Sequence, residues 1–331
     1  MDQVTLHVPS SIANDGPGYD IFCLGNKDPY LAVTATRTQR GVTVGVQSLY
    51  TPPSGRELGH TGIIAAKSFL TESGIDGGIQ LQYNDSDSGY PVGGLGRSGA
   101  EAVGAIMAVA LLYDRKLTRD EVVIYSARGE PGEHKDNVAA STNGKFNIVA
   151  TSPDTGRASV DFYDVPDNLG MAIGFSSHQK IMGTAGGRRI LQLPVLAEDL
   201  VYQTGLVAAM AAAMVSGNTN RVLEIAAGDR FHEERRANIG FYGNFGGDPF
   251  GEFTRLKRQL YNDFQVAWAV AGAGANMLAL YPKNRYPDGI VSAISPVVVP
   301  WFRERGIEMR LQEAQIAEEG TYDYAQRNYN Y

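Results

Sequence analysis

The sequence predicts a fold that mixes β-strands with α-helices, in one large domain or two ordinary ones. Short runs of alternating β-branched residues, of which 4–8 is the first, are typical of strands. Long apolar runs, such as the alanine-rich 195–216, are typical of helices that pack in a core. A glycine-rich loop at 91–100 leads directly into another apolar helix, and a length of 331 residues is enough for two domains.

The same patterns place the elements along the chain. Strands are expected at 4–8, 31–36, 42–46, 78–83, 146–150, 159–162, 171–175 and 307–311, with a strand–turn–strand unit at 267–280. Helices are expected at 61–71, from the glycine-rich loop to about 113, and at 118–127, 195–216, 253–260 and 290–305. Thr118 and Glu121 predict a capping box, and Pro296 and Pro300 are expected to interrupt the last helix. The glycine- and aromatic-rich segment 240–251 is expected to be inserted or flexible, and 318–331 to be an extension.

Composition argues against several classes of protein. A net charge of −7, a pI of about 5.3 and the lack of a Lys/Arg cluster argue against nucleic-acid or membrane-surface partners. The longest apolar run, 206–215, is shorter than the roughly 20 residues of a membrane-spanning helix and is expected to lie in the core. The single Cys23 argues against an internal disulfide framework, and the N-terminus resembles no signal peptide. We therefore expect a cytoplasmic protein.

The loop at 91–100 has the composition of a phosphate-binding site. Four glycines let backbone N–H groups approach an anion, and the N-terminus of the following helix adds unpaired donors. The loop fits neither the dinucleotide fingerprint nor the Walker loop, which ends in Gly-Lys-Ser/Thr. The alternative interpretation is a simple turn in which Ser98 caps the helix.

Two further groups of residues suggest chemistry. Glu130, Glu133, His134, Asp136 and Asn137 crowd into eight positions, which is typical either of a metal–phosphate site or of a solvated turn. The adjacent Arg188 and Arg189 are typical of a charged helix face, although a guanidinium also has the geometry to bind a carboxylate in a bidentate manner.

Five separated segments resemble motifs of the GHMP kinases, especially the homoserine kinases, in that family's order. The loop 94–100 is similar to Gly-Leu-Gly-Ser-Ser-x-Ala, and 9–20 is similar to Pro-Ala-Ser-x-Ala-Asn-Leu-Gly-Pro-Gly-Phe-Asp. The other three matches are 130–139 to Glu…His-x-Asp-Asn-x-Ala, 184–191 to Thr-x-x-Ala-Arg-x-Ile-Leu, and 229–239 to Asp-x-x-x-Glu-Pro-x-Arg-x-x-Leu. Segment 271–280 is a weaker match to the third motif, with alanines at 271 and 275 where the family has Ser and Pro.

The resemblance implies an α+β fold with two lobes and an active site between them. The N-terminal lobe, 1–155, would carry the phosphate loop, and the C-terminal lobe, 156–331, would be ferredoxin-like. The implied reaction is ATP-dependent phosphorylation of L-homoserine to O-phospho-L-homoserine, toward threonine. The implied partners are ATP, Mg²⁺ and a small amino-acid substrate, and we expect a homodimer.

The resemblance also assigns roles to residues. It implies that ATP is bound by Gly93, Gly94, Leu95, Gly96, Arg97, Ser98 and Gly99, and that Mg²⁺ is held by Ser98 and Glu130, with Glu133 as a rival of Glu130. It implies that substrate is bound by Asp20, His134, Asn137, Arg188 and Arg236. It implies that Thr184, Asn14 and Asp136 lie at the reacting hydroxyl, with no residue assigned as a general base.

The main departure from the family pattern is Arg97, which stands where the family has Ser. Its side chain would either add a cationic contact to the polyphosphate or obstruct the nucleotide. Two other functions therefore stay open at this point. One is a GHMP kinase acting on another small hydroxy-acid, and the other is a non-catalytic binding protein with the same fold.

Overall fold

The computed structural model describes residues 1–48, 58–87, 89–90, 93–152, 154–178, 183–192, 194–229 and 231–331, without the side chains of 183–185. The chain forms two compact units, each built from separate segments. Unit 1 comprises Met1–Ile12, Asp20–Phe162 and Ile316–Tyr331, and unit 2 comprises Ala13–Tyr19 and Tyr163–Gln315. The division into domains at 155/156 stays a prediction.

The predicted strands and helices are present in the predicted order. The strands are β1 Gln3–Asn14, β2 Gly18–Thr38, β3 Gly41–Gln47, β4 Gly78–Asp85, β5 Phe146–Thr151, β6 Ala158–Tyr163, β7 Leu169–Ser176, β8 Ala267–Val270, β9 Met277–Pro282 and β10 Met309–Ala314. The helices are α1 His60–Glu72, α2 Arg97–Leu112, α3 Arg119–Ala127, α4 Asp136–Asn143, α5 Gly183–Arg189, α6 Ala197–Val215, α7 Thr219–Ala226, α8 His232–Ala237, α9 Pro249–Phe264, α10 Val291–Arg303 and α11 Thr321–Tyr329. Five of these helices among the described residues, α4, α5, α7, α8 and α11, were not predicted.

Unit 1 is a six-stranded sheet covered by helices. The strand order is β3-β4-β2-β5-β6, and β1 pairs with β2. The long β2 is antiparallel to both β4 and β5, whereas β3 is parallel to β4. α2 packs against α1, α3, α4 and α11, and all of its residues except Ser98 and Leu111 are buried. This buried helix begins directly after the glycine-rich loop and fixes that loop on the core.

Two predictions about helix starts in unit 1 have opposite outcomes. The Thr118–Glu121 capping box is confirmed, because the Thr118 side chain accepts from the Glu121 amide and the Glu121 side chain accepts from the Thr118 amide. The alternative interpretation of Ser98 as the cap of α2 is wrong. Gly96, in a left-handed conformation with φ of 62°, is the N-cap and provides no side-chain hydrogen bond.

The C-terminal segment is part of the core of unit 1, so its interpretation as an extension is wrong. The Thr321 hydroxyl donates to the carbonyl oxygen of Ser141 at 2.8 Å, and both Thr321 and Ala325 are fully buried. The Tyr329 hydroxyl donates to the Thr5 carbonyl at 2.6 Å and accepts from the Thr5 amide at 2.9 Å. The polar side chains that suggested an extension are used to bond the helix to β1 and α4.

We expect Gly320→Ala to destabilise unit 1. An added Cβ would lie 2.1 Å from the Thr142 carbonyl oxygen, and this contact is with backbone that cannot rotate away. Overpacking of this kind costs about 1–3 kcal/mol, so calorimetry should show a lower melting temperature. The control is Gly205→Ala in α6, where an added Cβ meets nothing within 4 Å and alanine is the better helix former. An unchanged melting temperature for Gly320→Ala would contradict the docking of this segment.

Unit 2 is built on an antiparallel sheet with the order β10-β7-β9-β8. Its core contains Trp268 and Phe302 together with Phe241, Tyr242 and Phe245, all 1% exposed or less. The interpretation of 240–251 as flexible is therefore wrong for its aromatic residues, and its interpretation as inserted stays a prediction. Its aromatic side chains supply core volume, and its glycines provide the backbone turns, with φ of 131° at Gly243.

The predicted interruption at Pro296 and Pro300 is also wrong, because α10 runs through both prolines. The two prolines lie four residues apart on the exposed face, while Ile294, Val298 and Phe302 occupy the buried face. A proline leaves one carbonyl without its N–H partner. Both prolines lie on the exposed face, so the lost bonds fall on the side of the helix away from its buried residues, and the helix continues.

The alanine-rich α6 is less buried than its sequence predicts. Only Met210, Ala213 and Met214 are buried, whereas Leu200 is 60% exposed and Val201 is 73% exposed. The prediction of a buried core helix, which rested on hydrophobicity alone, is therefore wrong for most of α6. Apolar residues also contribute a large part of a normal protein surface.

Candidate active site

The phosphate loop has the backbone conformation that its glycines predict. The values of φ are 124° at Gly93, 93° at Gly94 and 62° at Gly96, which only glycine adopts without strain. An added Cβ at Gly96 would lie 1.9 Å from the Ser11 hydroxyl and 2.6 Å from Oδ1 of Asn137. Because α2 has no side-chain cap, the first amides of the helix are donors for an anion.

Ser98 and Glu130, the predicted metal ligands, lie together in unit 1. The Ser98 hydroxyl donates to Oε2 of Glu130 at 3.0 Å, and both residues are partly buried. The rival Glu133 is exposed and has a left-handed φ of 52°. A hydroxyl and a carboxylate at the start of a helix form a suitable set of oxygen ligands for Mg²⁺ that also binds phosphate.

The Arg97 side chain forms ion pairs in the interior of unit 1. Its guanidinium is 2.7 Å from Asp85 and 3.2 Å from Glu101, and its side chain is 1% exposed. The arginine that departs from the family pattern is therefore accommodated inside unit 1, and its guanidinium does not block the loop. The assignment of residue 97 to ATP binding stays a prediction and rests on its backbone amide.

Three of the remaining predicted residues of unit 1, His134, Asp136 and Asn137, lie at the start of α4, whereas Asp20 lies in β2. Asn137 accepts from the Ser11 hydroxyl at 2.9 Å, next to the phosphate loop. Asp136 is buried, and its Oδ1 accepts from the Asn137 amide at 2.8 Å. His134 is partly buried beside Gly132, and Asp20 is partly buried with a left-handed φ of 58°. The structure thus brings Asn137 to the loop.

In unit 2, the two predicted carboxylate-binding arginines lie against one aromatic ring. The guanidinium carbon of Arg188 is 5.5 Å from the centre of the Tyr19 ring, and that of Arg236 is 5.4 Å from the same centre. Arg236 is 1% exposed and donates from Nε to the Gly187 carbonyl at 3.2 Å. Both cations therefore contact the same side chain, and a guanidinium is a suitable partner for a carboxylate.

Gly187 explains one departure from the family pattern, which has Ala at this position. A Cβ on Gly187 would lie 2.7 Å from the Phe241 ring and 3.4 Å from Nε of Arg236. Phe241 in turn stacks on Arg236, with 5.7 Å between guanidinium carbon and ring centre. Glycine at 187 therefore leaves room for the ring that packs against Arg236.

Asn14 is fixed to the glycine turn of the third motif, also within unit 2. Its side-chain nitrogen Nδ2 donates to the Gly272 carbonyl at 2.7 Å, and the backbone amide of Gly272 donates to the Ala13 carbonyl at 2.9 Å. Asn14 has a left-handed φ of 77° and is 3% exposed. These bonds hold the end of β1 and the turn between β8 and β9 together.

A buried charged network supports the short helix that carries Arg236. Asp229 accepts from the backbone amides of His232 at 3.2 Å and Glu233 at 2.8 Å, and its Oδ2 lies 3.2 Å from Nδ1 of His232. Burial by itself would raise the pKa of the Asp229 carboxyl, but His232 and the Glu233 amide bring it down to about 2. Glu233 forms an ion pair with Lys257 and accepts from the Val270 amide at 2.7 Å.

We expect Asp229 to make the stability of unit 2 depend on acidic pH. Its pKa falls from the ordinary 3.8 to about 2 on folding, so it stabilises the folded state above pH 4, and this contribution is lost as the pH falls to 2. The difference corresponds to about 2 kcal/mol at about 1.4 kcal/mol per unit. Urea unfolding followed by tryptophan fluorescence measures it, because Trp268 and Trp301 both belong to unit 2.

The comparison that isolates this effect is between wild type and Asp229→Asn across that pH range. The stability difference should be largest above pH 4 and smallest near pH 2. Asp263→Asn, at an exposed position of α9, is the control and should show no such trend. A difference that is constant with pH would contradict the lowered pKa of Asp229.

Some predicted features lie outside what the structure describes. The side chain of Thr184 is among the side chains left undescribed, as are Pro91 and Val92 of the loop. Among the described residues, no group of three or more His, Cys, Asp or Glu side chains is arranged to hold a metal ion by itself. Within those same ranges no helix is long and apolar enough to span a membrane.

Sequence reasoning missed several residues that build these groups. Glu101 follows Arg97 by four residues in a helix, and this spacing is the sequence signal that indicates their ion pair. Asp85 has no comparable signal, because its partner Arg97 lies beyond the loop in another element. Tyr19 has none either, because its partner Arg236 is distant in sequence and the family motif has Phe at the position of Tyr19.

Comparison with known proteins identifies the family. The model for the N-terminal domain of GHMP kinases matches residues 61–145, which include the phosphate loop and α4. The homoserine kinase of Haloquadratum walsbyi is 30% identical over 221 residues, covering 65% of this chain and 69% of that protein. The homoserine kinase of Methanococcus maripaludis is 26% identical over 294 residues, covering 87% of this chain and 91% of that protein.

The crystal structure of homoserine kinase from Cytophaga hutchinsonii has the same fold. The TM-score is 0.78 at 22% sequence identity, covering 97% of this chain and 96% of that chain. The predicted fold class is therefore confirmed. From the matched phosphate loop, the relatives and the shared fold together, the chain belongs to the GHMP kinase family.

Proposed function

We propose that this protein phosphorylates L-homoserine with ATP, giving O-phospho-L-homoserine and ADP, a step toward threonine. The proposal is supported by relatives named homoserine kinase that match most of the chain. It is also supported by the two groups of residues described above. Unit 1 carries the uncapped helix start with Ser98 and Glu130, and unit 2 carries Arg188 and Arg236.

One observation carries the substrate class, namely the convergence of two guanidiniums on the Tyr19 ring. Arg188 and Arg236 lie at nearly equal distances from that ring. A guanidinium binds a carboxylate with two parallel hydrogen bonds, and partial burial strengthens this attraction. This arrangement favours an amino acid or another hydroxy-acid over a neutral sugar as the phosphoryl acceptor.

Phosphoryl transfer requires mainly positioning and the stabilisation of negative charge. We propose that the backbone amides of residues 93–99 hold the phosphates of ATP. Ser98 and Glu130 would hold Mg²⁺, which is supported by the hydrogen bond that keeps their oxygens 3.0 Å apart. When bound, Mg²⁺ would offset the negative charge of the phosphate oxygens.

The amino and hydroxyl groups of the substrate are assigned to the remaining predicted residues. Asp20 would pair with the ammonium group, and His134 and Asn137 would bind the substrate backbone. Asn14, Asp136 and Thr184 would lie at the hydroxyl. Asp136 already accepts a hydrogen bond from the Asn137 amide, which supports an orienting role for it, and we assign no general base.

Two further parts of the proposal concern the state of the protein in the cell. We propose that it is a cytoplasmic homodimer that binds no nucleic acid. The acidic net charge of −7 supports the last point. Light scattering coupled to size exclusion measures the oligomeric state directly.

The experiment that tests the function is ATP turnover with Mg²⁺ against L-homoserine, L-threonine, L-serine, mevalonate and pantoate. Formation of ADP with L-homoserine alone supports the proposal. Preferential turnover of another hydroxy-acid would replace the substrate but keep the kinase. No turnover with any acceptor and no thermal shift with ATP would reject the catalytic function.

A further inference from the structure

Arg97 is an ion-paired side chain in the interior of unit 1, at the first position of α2. Its Nη1 lies 2.7 Å from Oδ1 of Asp85, and its Nε lies 3.2 Å from Oε1 of Glu101. All three side chains are 3% exposed or less. Because water does not compete for such buried groups, the guanidinium keeps these partners in the folded protein.

The partners of Arg97 belong to chain segments on both sides of the phosphate loop. Asp85 is the last residue of β4, upstream of the loop, and Glu101 lies one turn into α2, downstream of it. Nη1 of Arg97 also donates to the Tyr90 carbonyl at 2.8 Å, and the guanidinium lies 5.3 Å from the centre of the Tyr90 ring. Arg97 therefore ties the chain that enters the loop to the helix that leaves it.

Tyr90 extends this connection into the loop itself. Its hydroxyl donates to the Leu95 carbonyl at 2.8 Å, and its amide donates to Oδ2 of Asp85 at 3.1 Å. The Leu95 carbonyl also accepts from the Ser11 amide at 3.2 Å. The middle of the loop is thus held by the Tyr90 hydroxyl, and the backbone of Tyr90 is held in turn by Arg97 and Asp85.

Glu101 continues the network to the neighbouring helix. Its Oε2 accepts from the Thr61 hydroxyl at 2.9 Å, and the same hydroxyl lies 3.0 Å from the Ser98 carbonyl. Thr61 belongs to α1, which packs on α2. The carboxylate that pairs with Arg97 is therefore itself fixed.

The loop needs such support because its glycines do not restrict its backbone conformation. Gly93, Gly94 and Gly96 all have positive φ, and glycine has the greatest backbone freedom of all residues. The start of α2 has no side-chain cap that would hold the first turn. Without an external restraint, only a fraction of loop conformations would present the amides to one anion.

We propose that Arg97 is a positioning residue, which holds the phosphate loop in the conformation that binds the polyphosphate of ATP. Its side chain acts through Tyr90, Asp85 and Glu101 and makes no contact with the nucleotide, whereas its backbone amide is one of the amides assigned to the phosphates. The inference rests on the proposed function, since it assumes that this loop binds ATP. In this protein the arginine supplies a restraint at the position where the family pattern has a small serine.

The test compares wild type, Arg97→Ser and Arg97→Lys in MgATP binding by calorimetry and in steady-state kinetics with L-homoserine. In Arg97→Ser we expect the Kd for MgATP to rise roughly 10-fold, as it would if only about a tenth of the molecules kept the competent loop. The KM for L-homoserine should stay at the wild-type value. Lysine keeps the charge but lacks the planar fork, so Arg97→Lys should restore only part of the affinity.

A matched control separates positioning from lost stability. Val109→Ala removes buried volume from the same helix, away from the loop, and should lower the melting temperature without changing the Kd for MgATP. Hydrogen exchange adds a readout that needs no ligand. Amides 95–100 should exchange faster in Arg97→Ser than in wild type, and Val109→Ala should leave the ratio of their exchange to that of α2 unchanged.

A further variant allows for the chance that Arg97→Ser does not fold with two buried carboxylates left unpaired. The triple variant Asp85→Asn, Arg97→Ser, Glu101→Gln removes the charges together, yet no replacement reaches the Tyr90 carbonyl as arginine does. It should still bind MgATP weakly. Wild-type affinity in the folded triple variant or in Arg97→Ser would overturn the inference alone, whereas no MgATP binding by wild type would overturn the proposed function with it.

Discussion

Glu130→Gln is expected to lower kcat for L-homoserine phosphorylation by roughly 10²- to 10³-fold, the usual effect of removing one stabilising group from a transition state. Glutamine keeps the size and still accepts from the Ser98 hydroxyl, which lies 3.0 Å from Oε2 in the native protein. The change therefore removes the negative charge and little else. That charge is what a ligand of Mg²⁺ supplies in the proposed function. Initial rates over a Mg²⁺ titration measure the effect.

Glu133→Gln is the matched control, because Glu133 lies in the same turn and is exposed. We expect it to keep near wild-type kcat and the same Mg²⁺ dependence. The reverse result, with Glu133→Gln inactive and Glu130→Gln active, would assign the metal to Glu133. Equal activity of both variants would reject a metal ligand in this turn.

Arg236→Ala is expected to raise the KM for L-homoserine by roughly 150-fold. Removing one partner of a buried, hydrogen-bonded charge pair costs about 2–5 kcal/mol, and about 3 kcal/mol corresponds to that factor. Arg236 is 1% exposed, so its attraction for a carboxylate is weakly screened. The KM for ATP should change little, because Arg236 is assigned to the carboxylate of the acceptor and not to the nucleotide.

Arg235→Ala provides the comparison for Arg236→Ala. Arg235 is the neighbouring residue of α8, is partly exposed and donates to the Pro194 carbonyl at 2.9 Å. It should leave the KM for L-homoserine near the wild-type value. A large rise of the KM for ATP in Arg236→Ala, or equal effects of both arginine variants, would contradict a specific role in carboxylate binding.

The parts of the fold that the sequence predicted are those controlled by local patterns. The capping box at Thr118 and the strand–turn–strand unit at 267–280 depend on residues a few positions apart, and both are present. The positive φ values of the phosphate loop follow from its glycines in the same way.

The parts that could not be predicted depend on contacts between distant residues. Pattern alone could not show that α11 returns to β1, because the bond between Tyr329 and Thr5 joins residues 324 positions apart. The role of Arg97 was ambiguous for the same reason, since its partner Asp85 lies on a strand and forms no periodic pattern with it. The exposure of Leu200 and Val201 was missed because hydrophobicity describes a side chain and not its neighbours.

The way in which the two units share the chain determines the order in which they are completed during synthesis. The chain passes between the units after Ile12, Tyr19, Phe162 and Gln315. Segment Ile316–Tyr331, which packs in unit 1, is therefore made only after the last residue of unit 2. A ribosome that has produced residues 1–162 has not yet produced the helix that bonds to Ser141 and Thr5. Unit 1 closes only when synthesis has passed through the whole of unit 2, so the domain that begins first is finished last.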